Sequence, residues 1–263
     1  MSAVMIDGGI VHYEAFGRGT PILYIHGWLG SWRYWMQCMD SMAVEHRVYA
    51  LDLWGFGDSD KAKKRFNRDD YLGLIDIFIQ EMGIRKPVIV GHALGAWIAI
   101  DYAVHYPDKI GKIMAVSLPL IADQIDRRLL TFQEGSSLAK LFRWWNPIPD
   151  KEIEHEAERT AESAIHLSLN AFRNVNFEYK IRHIACNVLI VCGEKDEVID
   201  VNATRNIDND GLENVKYIGL SGSKHFPMVD QGKKFNRLLK DFADKKATLE
   251  SLQLKEEWRR RTR

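Results

Sequence analysis

The sequence is poor in cysteine, in net charge and in long apolar runs, and each shortage excludes a class of protein. Three cysteines in 263 residues, Cys38, Cys186 and Cys192, do not make a disulfide framework. Cys186 and Cys192 lie in or beside an apolar strand pattern, which reads as buried thiols in a reducing compartment. Lys plus Arg number 36, and so do Asp plus Glu. That balance gives no electrostatic reason to expect nucleic acid or an anionic membrane as a partner. No stretch reaches the roughly 18 apolar residues of a membrane span. The opening "MSAVMIDGGIVHYEAFG" has no positively charged region ahead of an apolar one, so the expectation is a cytoplasmic protein. No internal repeat or low-complexity segment is present. Without H-E-x-x-H or a Cys/His cluster, no metal centre is expected. Gly55-Phe56-Gly57 lacks the third glycine of a dinucleotide loop, so no nucleotide cofactor is expected.

What the chain does have is apolar content, 46% of residues, enough for one large α/β domain with an inserted lid or for two small domains. "GIVHYEAFG" alternates apolar and polar residues, as an antiparallel edge hairpin does. "PILYIHGW", "HRVYALDLWGFGDSD", "KPVIVGHALG" and "KIGKIMAVSLP" are continuous apolar runs ending in loops, the pattern of strands buried on both faces. "DDYLGLIDIFIQEMGI" and Ala93 to His105 carry helical spacing between them. This alternation predicts a parallel sheet with helices on both faces. From about Leu120 to Arg182 the rhythm stops, and charged, aromatic, amphipathic helices broken by Pro147 and Pro149 are expected instead. "NVLIVCGEKDEVI" and "ENVKYIGLSGSKHF" then resume the strands, and "QGKKFNRLLKDFADKK" closes with a helix. The expected organisation is a core over 1–119 and 183–245, a helical cap over 120–182, and a basic, solvated tail over 246–263. A helical insertion of this kind covers the C-terminal strand edge, where such sheets bind ligands.

The chemistry concentrates at that edge. Gly91-His92-Ala93-Leu94-Gly95 has the spacing of a nucleophile elbow, G-x-S-x-G, with alanine at its centre. His26-Gly27-Trp28 ends an earlier strand, and Asp196 and His225 each follow a later one. Elbow, then acid, then histidine is the chain order of α/β-hydrolases. On these motifs the chain resembles the α/β-hydrolase superfamily over nearly its whole length. "DLWGFGDSD" is similar to the family's loop after the fourth strand, and "KHFPMVDQGKKFNRLL" to its histidine loop and last helix.

The resemblance implies the α/β-hydrolase fold: a mostly parallel eight-stranded sheet flanked by helices, with a cap. It implies His225 as general base, oriented by Asp196, and an oxyanion hole from the backbone N–H groups of Trp28 and Leu94. Ala93 stands at the nucleophile position, and a methyl cannot attack a carbonyl. Trp28, His92 and Trp97 are candidates for contact with substrate. Two of them also have a plainer role: packing for His92, whose side chain should point away from the site, and for Trp97 together with Trp32, Trp35, Trp144 and Trp145. His26 resembles a loop-fixing histidine, and His155 reads as a surface helix residue.

Three readings of Ala93 follow. A serine esterase could have been inactivated by one Ser→Ala change. Alanine could be native, with His225 and Asp196 activating water; the aminoacrylate hydrolases of pyrimidine breakdown are similar and have a G-H-A-L-G elbow of their own. Or the chain could be a non-catalytic relative that binds a small ligand or a protein partner. Both elbow glycines are kept, which reads as a Leu94 N–H still in use. The native-alanine reading ranks first, acting on a small, largely apolar carbonyl compound with no cofactor. A dehalogenase or epoxide hydrolase would require a carboxylate at position 93.

Overall fold

The computed structural model describes residues 2–132, 135 and 159–252. Its strands are β1 (Ser2–Ile6), β2 (Gly9–Gly17), β3 (Thr20–Ile25), β4 (His46–Leu51), β5 (Val88–His92), β6 (Lys112–Val116), β7 (Asn187–Gly193) and β8 (Val215–Leu220). They form one eight-stranded sheet in the order β1-β2-β4-β3-β5-β6-β7-β8. β2 pairs antiparallel with β1 and β4, and every later pairing is parallel. Asp7 and Gly8 turn the first hairpin, both at positive φ (46° and 72°), as a two-residue Asp-Gly turn requires. The fold class expected from the sequence is the one observed.

The main helices are α1 (Met36–Met42), α2 (Arg68–Glu81), α3 (Leu94–His105), α4 (Glu162–Phe172), α5 (Phe177–Arg182) and α6 (Gly232–Ala243). α2 begins at a capping box: the Asn67 side chain accepts from the Asp70 N–H, and the Asp70 carboxylate accepts from the Asn67 N–H. α6 buries Phe235, Leu238, Leu239 and Phe242 at helical spacing, the stripe that docks it on the sheet.

Two details depart from the sequence reading. In "GWLGSWRYW", Trp32–Trp35 form a 3-10 turn that runs into α1, two elements that the strand-and-helix rhythm does not include. Trp35, Cys38 and Met39 are fully enclosed while Gln37, Asp40 and Ser41 are exposed, but seven residues are too few for that stripe to stand out in the sequence. The helix after β5 starts at Leu94, not Ala93, because Ala93 takes a non-helical backbone.

Between β6 and β7 the described residues are helical, with one isolated bridge between Ile125 and Ile199. Trp144, Trp145, Pro147, Pro149, His155 and 253–263 lie outside the described residues. Among the described residues no helix is long and apolar enough to cross a membrane.

Candidate active site

Six parallel strands, β3 to β8, deliver their C-terminal ends to one edge, and the elbow is at the centre of it. Ala93 caps α3 with φ 49° and ψ −106° and is 1% exposed. A residue with a Cβ held there stores about 1–3 kcal/mol of strain. Its N–H donates to the Val116 carbonyl at 2.9 Å, which locks the elbow to β6. A Cβ on Gly95 would overlap the carbonyl oxygens of Ile25 and His26, and one on Gly91 would overlap the Gly95 carbonyl. Packing alone therefore demands both glycines, whether or not residue 93 reacts. The Leu94 N–H, the first of α3, has no carbonyl within its own helix to bond, and it sits at the positive end of the helix dipole.

The loop after β3 lies against the elbow. A Cβ placed on Gly27 would stand 3.1 Å from the Ala93 Cβ. The Gly30 N–H donates to the Gly27 carbonyl (3.3 Å), and Leu29 between them has φ 58°, so Trp28 occupies the first central position of a tight turn. His26 fixes this turn. Its Nε2 accepts from the Leu53 N–H at 2.9 Å, so the ring proton is on Nδ1, which donates to the Gly27 carbonyl at 2.8 Å. Burial pushes the His26 imidazole below the usual histidine range, consistent with that neutral tautomer. The Trp28 indole donates to Ser168 Oγ of α4 at 2.9 Å and meets the Trp97 ring edge-on at 5.3 Å. Trp97 donates to the Pro119 carbonyl at 2.7 Å and stacks on Phe177. Both indole N–H groups are thus committed within the protein.

His225 and Asp196 are brought together. His225 Nδ1 lies 2.9 and 3.1 Å from the two Asp196 carboxylate oxygens, and both side chains are almost fully buried. The carboxylate also accepts from the Val198 and Ile199 N–H groups at 2.9 and 3.2 Å, which fixes its rotamer. An acceptor held against Nδ1 keeps the proton there and leaves Nε2 as the basic atom. The His225 ring is 4.8 Å from the His92 ring, beside the elbow.

His92 is enclosed, with both ring nitrogens in hydrogen bonds: Nδ1 to the Tyr34 hydroxyl (3.1 Å) and Nε2 to the His225 carbonyl (2.9 Å). Ser117 Oγ donates to the same carbonyl at 2.9 Å. Sequence reasoning missed Tyr34 and Ser117. Tyr34 is one aromatic among several in its segment, with no spacing to mark it. Ser117 follows β6 at φ 47°, a backbone state that no motif advertises.

The acidic loop after β4 is a buckle. Asp52 accepts from the Trp32 N–H (2.8 Å) and the Asp58 N–H (2.9 Å) and lies 3.1 Å from His12 Nδ1. Among the described residues His12, Asp52 and Asp58 have the proximity of metal ligands. Asp58, however, pairs with Arg33 and Arg159, so cations already balance its charge. Burial pushes the Cys38 and Cys192 thiols up, and Cys186 up to about 11, which leaves all three poor nucleophiles.

Against known proteins, residues 20–163 match the family model of the alpha/beta hydrolase fold. Mouse epoxide hydrolase 4 is 36% identical over 118 residues, 43% of this chain and 33% of that protein. The pimeloyl-[acyl-carrier protein] methyl ester esterase of Vibrio campbellii is 20% identical over 255 residues, 89% of this chain and 98% of its own. Matches to epoxide hydrolases and a lipase span only 30% to 40% of those proteins' own length. An esterase structure from Exiguobacterium antarcticum superposes with a TM-score of 0.80 at 18% identity, covering 92% of this chain and 98% of that one.

Proposed function

The chain belongs to the α/β-hydrolase family, and on that premise we propose that it hydrolyses a small, largely apolar carbonyl compound without a protein nucleophile. The observation that carries this reading is a buried His225–Asp196 pair beside an elbow whose central side chain is a methyl. Ala93 differs from serine by one oxygen, and the space that oxygen would fill suits the oxygen of a water molecule. The water attacks the carbonyl carbon while its proton passes to His225 Nε2. Asp196 stabilises the imidazolium through Nδ1. The carbonyl oxygen gains charge facing the Trp28 and Leu94 N–H groups. Collapse of the tetrahedral intermediate expels the leaving group, which takes the proton back from His225. The described part of the insertion packs Phe172 and Phe177 with Trp97, and Trp97 with Trp28, beside the Trp28 loop, an apolar setting that suits apolar substrates. No carboxylate stands at position 93, so the covalent route of an epoxide hydrolase is not proposed, despite the likeness to that group. The free thiols, Cys38 and Cys192 buried and Cys186 half-buried, suit a cytoplasmic setting.

The test is a panel of small esters, amides and enamine acids. His225→Ala should lower conversion by about 10²–10⁴, and a fluorophosphonate probe should leave the wild-type chain unlabelled. The preserved elbow backbone favours a second reading, a serine esterase inactivated at position 93. It predicts that Ala93→Ser raises hydrolysis of a short-chain ester by orders of magnitude, where the first reading predicts little gain. If nothing in the panel is converted and His225→Ala leaves ligand affinity unchanged, a non-catalytic binder replaces both.

A further inference from the structure

Three loops must meet at the elbow, and although β3 and β5 share a ladder, none joins either of them to β8. The loop after β3 presents Trp28, β5 runs into Ala93, and the loop after β8 presents His225, with β6 and β7 lying between β5 and β8. A site of this kind works only if its parts are held to within about 0.5 Å. The polar contacts across the strand ends form one chain whose direction is fixed atom by atom. The Gly27 N–H can only donate, and it donates to the Tyr34 hydroxyl oxygen at 2.5 Å. The Tyr34 O–H is then free to donate to His92 Nδ1, 3.1 Å away. At the far end the His225 carbonyl can only accept, so His92 Nε2 carries the ring proton across the 2.9 Å contact. The reverse arrangement would place two hydrogens, or none, at one of these contacts.

We propose that Tyr34 and His92 are positioning residues that couple the oxyanion-hole loop to the general-base loop, through the chain Gly27 N–H to Tyr34 O–H to His92 to the His225 carbonyl. Ser117 extends the tie to β6 through the same carbonyl. The proposal rests on the functional reading above for its purpose but not for its geometry. His92, one residue before the elbow centre, is a strut between the two arms and not a substrate contact. The surroundings support a neutral strut: burial, and then the adjacent His225 ring, push His92 well below the usual histidine range, and burial keeps the Tyr34 phenol protonated. A charged His92 would carry a hydrogen on Nδ1 facing the tyrosine oxygen, which already accepts from Gly27, and the Tyr34 O–H would lose its acceptor.

The test is ¹⁵N NMR of the histidine-labelled full chain, with His92 and His225 assigned through His92→Gln and His225→Ala. In wild type His92 should be a fixed Nε2–H tautomer that does not titrate between pH 5 and 8. Tyr34→Phe keeps the ring, and so its shielding of neighbours, but removes the hydroxyl. It should leave His92 in the Nε2–H form, since the His225 carbonyl still requires that proton, but shift the His92 Nδ1 resonance, move the His225 ring resonances, and speed exchange of the Gly27 amide at least tenfold. An Nδ1–H tautomer in wild type, or unchanged His225 and Gly27 signals in Tyr34→Phe, overturns the proposal. If Tyr34→Phe does not fold, 3-fluorotyrosine at position 34 strengthens the donor and must move both the His92 Nδ1 and the His225 resonances; no movement is again fatal. None of these readouts needs a substrate. A chain that converts nothing but shows the coupling refutes the functional reading alone, and one that turns over without the coupling refutes the relay alone.

Discussion

Ala93 carries a Cβ at a backbone angle of φ 49°, and at this scale the elbow is a balance between strain and packing. Glycine reaches that conformation freely. Ala93→Gly should therefore be neutral or stabilise the fold by up to about 1 kcal/mol, where glycine in an ordinary strand or helix costs about as much. Urea unfolding measures the difference. Ser168 is the opposite case. It accepts the buried Trp28 indole N–H, and Ser168→Ala leaves that donor unpaired at a cost of about 1–3 kcal/mol, read from the same experiment. Legibility also divides at the residue scale. Asp196 and His225 are legible because each follows a buried apolar run, the mark of a strand end. Tyr34 and Ser117 are not, since their roles come from neighbours distant in the chain.

Elements are held by a few buried polar ties as well as by apolar faces. Asp101 of α3 is enclosed and pairs with Arg68 of α2 and Lys180 of α5, so one carboxylate joins two core helices to the helical insertion. Burial would raise its carboxyl, but the bonds to Arg68 and Lys180 outweigh burial and hold it below the usual aspartate range. A depressed carboxyl contributes stability that is fully present above the unfolded value near 3.9 and is lost as pH falls through the folded value. Asp101→Asn should thus flatten the acid limb of a stability-against-pH curve below about pH 4. At neutral pH it should cost about 3–5 kcal/mol by stranding two cations. Gly95→Ala tests the contact between α3 and β3. Its Cβ has no room against the Ile25 carbonyl, so an overpacking cost of about 1–3 kcal/mol or more should appear as a melting point several degrees lower. The strands and the long helices α2 and α6 show their period plainly in the sequence. α1 does not, because its buried Cys38, Met39 and Met42 and exposed Gln37, Asp40 and Ser41 span only seven residues, too short a run to set the phase.

Over the whole molecule, the described part of the insertion is fastened to three separate loops of the candidate site. Ser168 holds Trp28, the Ala161 N–H donates to the Gly55 carbonyl at 2.8 Å, and the Ile125–Ile199 bridge binds the loop that carries Asp196. An insertion clipped in this way holds the Trp28 loop and the Asp196 loop in place. The parallel sheet with helices on both faces could be argued from the rhythm of the sequence. These clips could not, since each joins residues dozens of positions apart. The account's central claim is that His225 acts directly on water over an inert elbow. Rapid-quench intact-mass spectrometry during turnover of any small carbonyl substrate tests it most directly, with His225→Ala measured alongside. The account predicts no covalent adduct at any time point and a loss of about 10²–10⁴ in rate for the variant. An adduct on any residue, or a variant as fast as wild type, would contradict it.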